Sequence, residues 1–145
     1  MAEIRRILSA TDFSEASKQA LDVAVSVARK YDAEIFLVNV VAAIPHLPAS
    51  STYQFDVLKY QNLLHTDAER HLSALAQASN GPEIHTIVSD GDAADGILRA
   101  AEQNQVDMIV IATAGRTGLG RALFGSVAEK VVRRATCPVL TVRQR

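Results

Sequence analysis

Five short runs rich in Ile, Val and Leu alternate with four helical patterns along this chain, and that alternation is what most limits the folds open to it. The runs span residues 4–10, 34–41, 84–89, 108–112 and 139–142. Most are near-continuous in apolar residues, as expected of parallel strands buried on both faces. The first helical pattern runs from about 14 to 31, with Ser14 as a good N-cap and Ala20, Val23, Ala24, Val27, Ala28 and Tyr31 in one stripe. The second, from 55 to about 79, sets Leu64, Ala68, Leu72 and Leu75 on one face; the third, from 92 or 93 to 104, does so with Ala94, Ile97, Leu98 and Ala101. The fourth starts near Ser126 and is expected to bury Ala128, Val131, Val132 and Ala135. Strand–helix alternation throughout implies βαβ units with right-handed crossovers, hence a doubly wound α/β fold of three layers around a five-stranded parallel sheet. Ligands in such folds bind beyond the carboxyl ends of the strands, where the strand order reverses. The loops after the first and fourth strands, residues 11–13 and 113–124, therefore hold the functional position.

The second of those loops is rich in glycine. The stretch 112–126 reads Ala-Thr-Ala-Gly-Arg-Thr-Gly-Leu-Gly-Arg-Ala-Leu-Phe-Gly-Ser, between an apolar strand and the helical start Val127-Ala128-Glu129-Lys130. Glycines let backbone approach a ligand closely, and free N–H groups at a helix start point at negative charge. A strand, a glycine-rich loop and a helix start together suit a nucleotide or phosphate.

At 145 residues the chain is read as one domain, 1–145, long enough to bury roughly two thirds of its unfolded surface. A net charge of −1 gives no global pull toward nucleic acid or anionic membrane. Locally, Arg116, Arg121, Lys130, Arg133, Arg134, Arg143 and Arg145 face a single acid, Glu129, in the last thirty residues, which reads as a solvated helix face with a charged tail or as a binding patch. The lone Cys137 allows no intrachain disulfide and is expected to be a buried, inert thiol. No apolar run approaches the ~18 residues of a membrane span and no leader pattern opens the chain, so a cytoplasmic protein is expected. The connection 42–52, with Pro45 and Pro48, is read as an ordinary long loop, a lid or a partner surface.

No catalytic set presents itself. His46, His65, His71 and His85 are scattered; H-E-x-x-H, C-x-x-C and G-x-S-x-G patterns are absent, and no metal site is expected from the protein alone. The P-loop spacing is missing too, so no lysine is poised at a γ-phosphate.

The chain resembles a single-domain universal stress protein. The resemblance is carried by Ile7-Leu8-Ser9-Ala10-Thr11-Asp12-Phe13-Ser14, by the loop at Gly115, and by Gly125-Ser126-Val127-Ala128-Glu129-Lys130-Val131 with Thr136-Cys137-Pro138-Val139-Leu140-Thr141-Val142. It implies a Rossmann-like, adenine nucleotide α-hydrolase-like sheet in the order 3-2-1-4-5, a homodimer through the last strand (Val139, Leu140, Thr141, Val142), and a role in stress response or in regulating a protein partner. The ATP-binding branch carries a Gly, two residues, a Gly, nine residues, then Gly-Ser or Gly-Thr. Gly115 and Gly125-Ser126 match; the first position is Ala112. Were a positive φ needed there, alanine would cost about 1–2 kcal/mol; were glycine needed only for close approach, one methyl is tolerated with weaker binding.

By the same resemblance, Asp12 accepts from a ribose hydroxyl or helps place the adenine, with Ala10 and Thr11 on the same edge and Val40 offering backbone groups to the base. The plainer roles are a helix cap for Asp12 and a core side chain for Val40. Gly115 and Arg116 lie under the phosphates, while Gly125, Ser126 and Val127 give backbone N–H groups and a hydroxyl. Ser126 is also a candidate N-cap and phosphorylation site, and Gly118 and Gly120 lend the loop freedom. The implied cofactor is ATP, with AMP or ADP as alternatives, and Mg²⁺ or Mn²⁺ only alongside the nucleotide. Hydrolysis or autophosphorylation would be slow and incidental. Two alternatives stay open: a nucleotide-independent dimeric interaction protein, suggested by Pro138 at the head of an apolar edge strand, and, ranked last, an enzyme acting on an adenylated or phosphorylated substrate.

Overall fold

The computed structural model describes residues 3–43, 54–114 and 124–145. Its elements are β1 (Arg6–Ala10), α1 (Glu15–Tyr31), β2 (Glu34–Val41), α2 (Gln54–Ala78), β3 (Ile84–Asp90), α3 (Ala93–Gln103), β4 (Met108–Ala112), α4 (Ser126–Arg134) and β5 (Val139–Val142). All strand pairs are parallel, in the order β3-β2-β1-β4-β5. The expected fold class and strand order are thus observed. Pro45, His46, Pro48, Gly115, Arg116, Gly118, Gly120 and Arg121, for which the sequence raised expectations, lie outside the described residues.

Alternation along the strands divides the interior into two cores. Ile7, Ile35, Leu37 and Val110 point toward α1 and α2, where they meet Ala20, Leu21, Ala24, Ala28 and Leu72. Leu8, Ala10, Val38, Ile109 and Ile111 point the other way, onto Ala94, Ile97, Ala128 and Val131 of α3 and α4. Burying each large aliphatic side chain contributes about 1.5–3 kcal/mol, enough for the two layers to hold the sheet between them. The central strands β1 and β4 are buried on both faces, as their apolar runs predict. The edge strands β3 and β5 are only half-buried, because each has a neighbour on one side alone.

Local signals set most boundaries. Ser14 caps α1, accepting from the Ser17 N–H at 3.2 Å, and Asp32 closes it in the left-handed conformation. Asp92 caps α3 in the same way as Ser14 caps α1. Three expectations need correction. The buried face of α1 is Ala16, Ser17, Ala20, Leu21, Ala24, Val25 and Ala28, so Tyr31 is half-exposed at the helix end, beyond the sheet. Val132 is exposed likewise, since the nine residues of α4 reach the sheet chiefly through Ala128 and Val131. The N-cap of α4 is Gly125, not Ser126, which is already the first helical residue.

Candidate functional site

The carboxyl ends of β1, β2 and β4 converge with the starts of α3 and α4 around a cavity of about 320 Å³, at the small end of the range for ligand pockets. Ala10, Thr11, Asp12, Val40, Ala112, Gly125, Ser126 and Val127 all line it. Every described residue that the sequence assigned to a nucleotide therefore borders one cavity; Gly115 and Arg116 lie outside the described residues. Thr113, from the loop expected there, also borders the cavity, as do Ser17, Val38, Asn39, Ala93 and Ile97, none of which was expected at the site. They arrive from the α1 and α3 starts and from strand neighbours, through packing and not through a motif.

The β1–α1 loop is held by a dense set of hydrogen bonds. The Thr11 N–H donates to the Val38 carbonyl at 2.9 Å, and the Asn39 side-chain amide donates to the Thr11 carbonyl at 2.9 Å. Buried Thr11 shares a 3.0 Å hydroxyl contact with buried Ser17 and accepts from the Phe13 N–H at 3.0 Å. Asp12 Oδ1 accepts from the Ser14 N–H at 3.0 Å, so Asp12 steadies the N-cap residue without being the cap. Phe13 has φ 67°, a backbone region costly for a bulky side chain. Its ring packs against that of His71 on α2 at 5.1 Å. These contacts fix the peptide edge that Asp12 presents to the cavity.

The opposite wall is the start of α4. The Gly125 N–H donates to the Thr113 carbonyl, and the Gly125 carbonyl accepts from the Glu129 N–H. Gly125 supplies no side-chain cap, unlike Ser14 and Asp92 at the starts of α1 and α3. The first N–H groups of a helix have no intrahelical partner, and those of Ser126 and Val127 belong to residues lining the cavity. With the helix dipole, this wall suits an anion.

The Ala112 question is answered on its backbone. Ala112 lies in β4, paired with Val142, and among described non-glycine residues a positive φ occurs only at Phe13, Asp32 and Gln105. Alanine is unstrained there. Its side chain packs with Met108 and Val110 against the α1–α2 core, whereas the apolar lining of the cavity, Ala10, Val38, Ile97, Ile111 and Ala128, belongs to the α3–α4 core. The extra methyl thus projects to the far face of the sheet.

Elsewhere, Cys137 is half-buried against the α3–α4 core, and burial pushes its thiol above the ordinary value. That keeps it protonated and unreactive near neutrality. The helix-face charges pair: Arg133 with Glu129, and Arg134 with Asp95 of α3 at 2.6 Å. His65 meets Asp90 across α2 and β3, a contact the scattered histidines did not suggest. Among the described residues no helix is long and apolar enough to cross a membrane.

Comparison with known proteins agrees with this architecture. Residues 3–143 match the Universal stress protein family. Universal stress protein MJ0531 of Methanocaldococcus jannaschii is 35% identical over 97% of this chain and 82% of its own length. Universal stress protein YxiE of Bacillus subtilis is 32% identical over 95% of this chain and 98% of its own. Among solved structures, UspA from Lactobacillus plantarum superposes with a TM-score of 0.78 at 28% identity, covering 99% of this chain and 100% of that one. A universal stress protein in complex with cAMP (TM-score 0.70, 24% identity, 97% and 98% covered) and an Arabidopsis thaliana family protein with AMP bound (0.66, 21%, 97% and 92%) share the fold.

Proposed function

The chain belongs to the universal stress protein family, and from that premise we propose that it is a regulatory module that binds an adenine nucleotide at the ends of β1, β2 and β4. The observation that carries this reading is the α4 start without a side-chain cap, opening on the same cavity that Asp12 borders. The phosphates meet the N–H groups of Ser126 and Val127 and the Ser126 hydroxyl, the expected Gly125 N–H being taken by the Thr113 carbonyl, and Asp12 accepts from the ribose, a role suited to a group with two strong acceptor oxygens. Val40 offers backbone groups to the base. Gly115 and Arg116 complete the phosphate side. ATP is the first candidate, with AMP and ADP next; that one relative was solved with cAMP and another with AMP supports the adenine class. Mg²⁺ or Mn²⁺ accompanies the polyphosphate and is held mainly by phosphate and water. Occupancy is relayed through a homodimer formed along β5, in the cytoplasm, by a chain acting as one domain and without catalysis of its own.

A second reading, a dimeric interaction protein indifferent to nucleotide, is favoured by one observation: β5 is a sheet edge with Leu140 36% exposed. Calorimetry with ATP and Mg²⁺, then AMP, on protein stripped of nucleotide separates the two. Micromolar binding that is lost in Gly125→Val supports the nucleotide reading. No binding up to millimolar concentrations overturns it and leaves the second.

A further inference from the structure

At the end of the sheet remote from the nucleotide cavity, Glu34, Glu83 and His85 bring one ligand atom each within 4.8 Å of one another. The strand register produces this. Arg6 pairs with Glu34 and Phe36 with His85; stepping the β2–β3 register back by one from Ile35 and Ile84 sets Glu34 beside Glu83. Residues 34 and 36 share a sheet face, as do 83 and 85. The result is two carboxylates side by side, with an imidazole diagonal to one of them. Like charges so placed across neighbouring strands repel, and the arrangement serves nothing in the nucleotide reading.

We propose that Glu34, Glu83 and His85 form a binding site for a divalent transition-metal ion, with Zn²⁺ the best fit. His85 Nε2 lies 2.9 Å from Glu34 Oε2 and 3.8 Å from Glu83 Oε1. A tetrahedral ion with ligand bonds of about 2.0–2.1 Å needs its ligand atoms about 3.3 Å apart, between those two separations. Imidazole nitrogen with carboxylate oxygen is the donor mixture that zinc accepts and that magnesium and calcium do not favour. The His85 ring is pre-oriented: it stacks on Phe36 at 4.9 Å with planes 27° apart, leaving Nε2 aimed at the carboxylates. Glu34 is oriented from behind, because Arg6 Nε donates to its other oxygen, Oε1, at 3.1 Å, while Arg6 also donates to the Asn104 carbonyl. Such a support fixes a ligand's geometry. It also cancels one carboxylate charge, so the ion meets a net charge of −1 and a neutral imidazole. Binding is accordingly of micromolar order, with water completing the tetrahedron. Glu83, 74% exposed at its side chain, is the ligand that must be ordered.

The test uses the tag-free full chain, stripped of metal and nucleotide and titrated with Zn²⁺ against a chromophoric chelator. One equivalent is expected to bind, with His85→Ala and Glu83→Gln each weakening it at least tenfold, since loss of mere outer-shell partners already costs about 10–100-fold. His71→Ala and His65→Ala, which remove the other described histidine–carboxylate pairs, should leave the strong equivalent in place. His85 ring resonances in the intact protein should shift with that equivalent, a reading that does not depend on any variant folding. Absence of tight binding in the intact chain, unmoved His85 resonances, or equal affinity in His85→Ala would overturn the proposal. Because nucleotide is absent, the outcome is independent of the cavity.

Discussion

The Gly125 N–H donates to the Thr113 carbonyl at 2.5 Å, and a Cβ placed on Gly125 would stand 3.2 Å from that same oxygen. One hydrogen bond thus clasps the start of α4 to the end of β4, and the absence of a side chain lets it close. The Thr113 N–H is itself tied to the Val142 carbonyl, so the oxygen has little room to retreat. Gly125 has φ −73°, so a side chain there brings crowding and no backbone strain. Gly125→Ala should fold and bind nucleotide more weakly, and Gly125→Val should lose binding while unfolding within a few degrees of the parent. Calorimetry alongside thermal unfolding checks both; unchanged affinity in the valine variant would detach the α4 start from the site.

Ala112→Gly tests the far-face methyl. Restoring the family's first glycine should change nucleotide affinity by less than about threefold, because the methyl packs against the α1–α2 core. Stability should fall by up to about 0.5–1 kcal/mol, the usual cost of glycine for alanine in a strand. A tenfold gain in affinity would mean that the methyl reaches the ligand after all.

Gly96 in α3 is where helix propensity and packing disagree. Alanine there would normally gain about 1 kcal/mol. A Cβ, however, would come within 2.7 and 2.8 Å of the two Val40 methyls. Overpacking of that kind costs about 1–3 kcal/mol, so Gly96→Ala should be destabilised in urea titration. Val40 lines the cavity, so nucleotide affinity should fall as well. A variant more stable than the parent would show that α3 can lift off β2 without penalty.

Leu140→Asp addresses assembly. The side chain is exposed on an edge strand, so a charge there should cost the monomer no more than about 0.5 kcal/mol. It should break pairing along β5, since charge on an edge strand opposes strand addition. Light scattering reads the mass directly: a dimer falling to monomer is expected, and an unaltered dimer would move the interface elsewhere.

The layers follow from features that sequence displays openly, apolar β-branched runs, helical stripes, and Ser14 where a cap was needed, whereas the strand order was implied only by the family resemblance. The cavity was legible to the extent that its parts lie at a strand end or a helix start, as with Asp12 and Gly125. Asn39 and Ser17 were not, because each matters through a partner fixed by tertiary packing: Asn39 by reaching the Thr11 carbonyl, Ser17 by meeting the Thr11 hydroxyl. The Glu34, Glu83 and His85 cluster escaped for a related reason. Two of its members lie about fifty positions from the third, and only the parallel β2–β3 register makes them neighbours. Tyr31 and Val132 misled because periodicity gives a face but not where the sheet beneath it stops.

The link between α3 and α4 should answer to pH. Arg134 donates to Asp95 at 2.6 Å, and that hydrogen bond holds the Asp95 carboxyl below its ordinary value of 3.8, with lesser help from the charges of Arg134, Lys130 and Arg99. A depressed folded-state value means the carboxylate favours the fold above the unfolded value and stops doing so as pH falls through the folded one. The window is therefore the acid limb below 3.8, and neutral pH leaves the pair intact. Because the pair is exposed, salt should weaken it. Arg134→Gln should move the Asp95 titration, followed by its carboxyl carbon resonance, upward toward the ordinary value. High salt should move the parent protein in the same direction. An Asp95 titration that ignores both changes would mean that the contact does not persist in solution and that α3 and α4 are joined by Ala94, Ile97, Ala128 and Val131 alone.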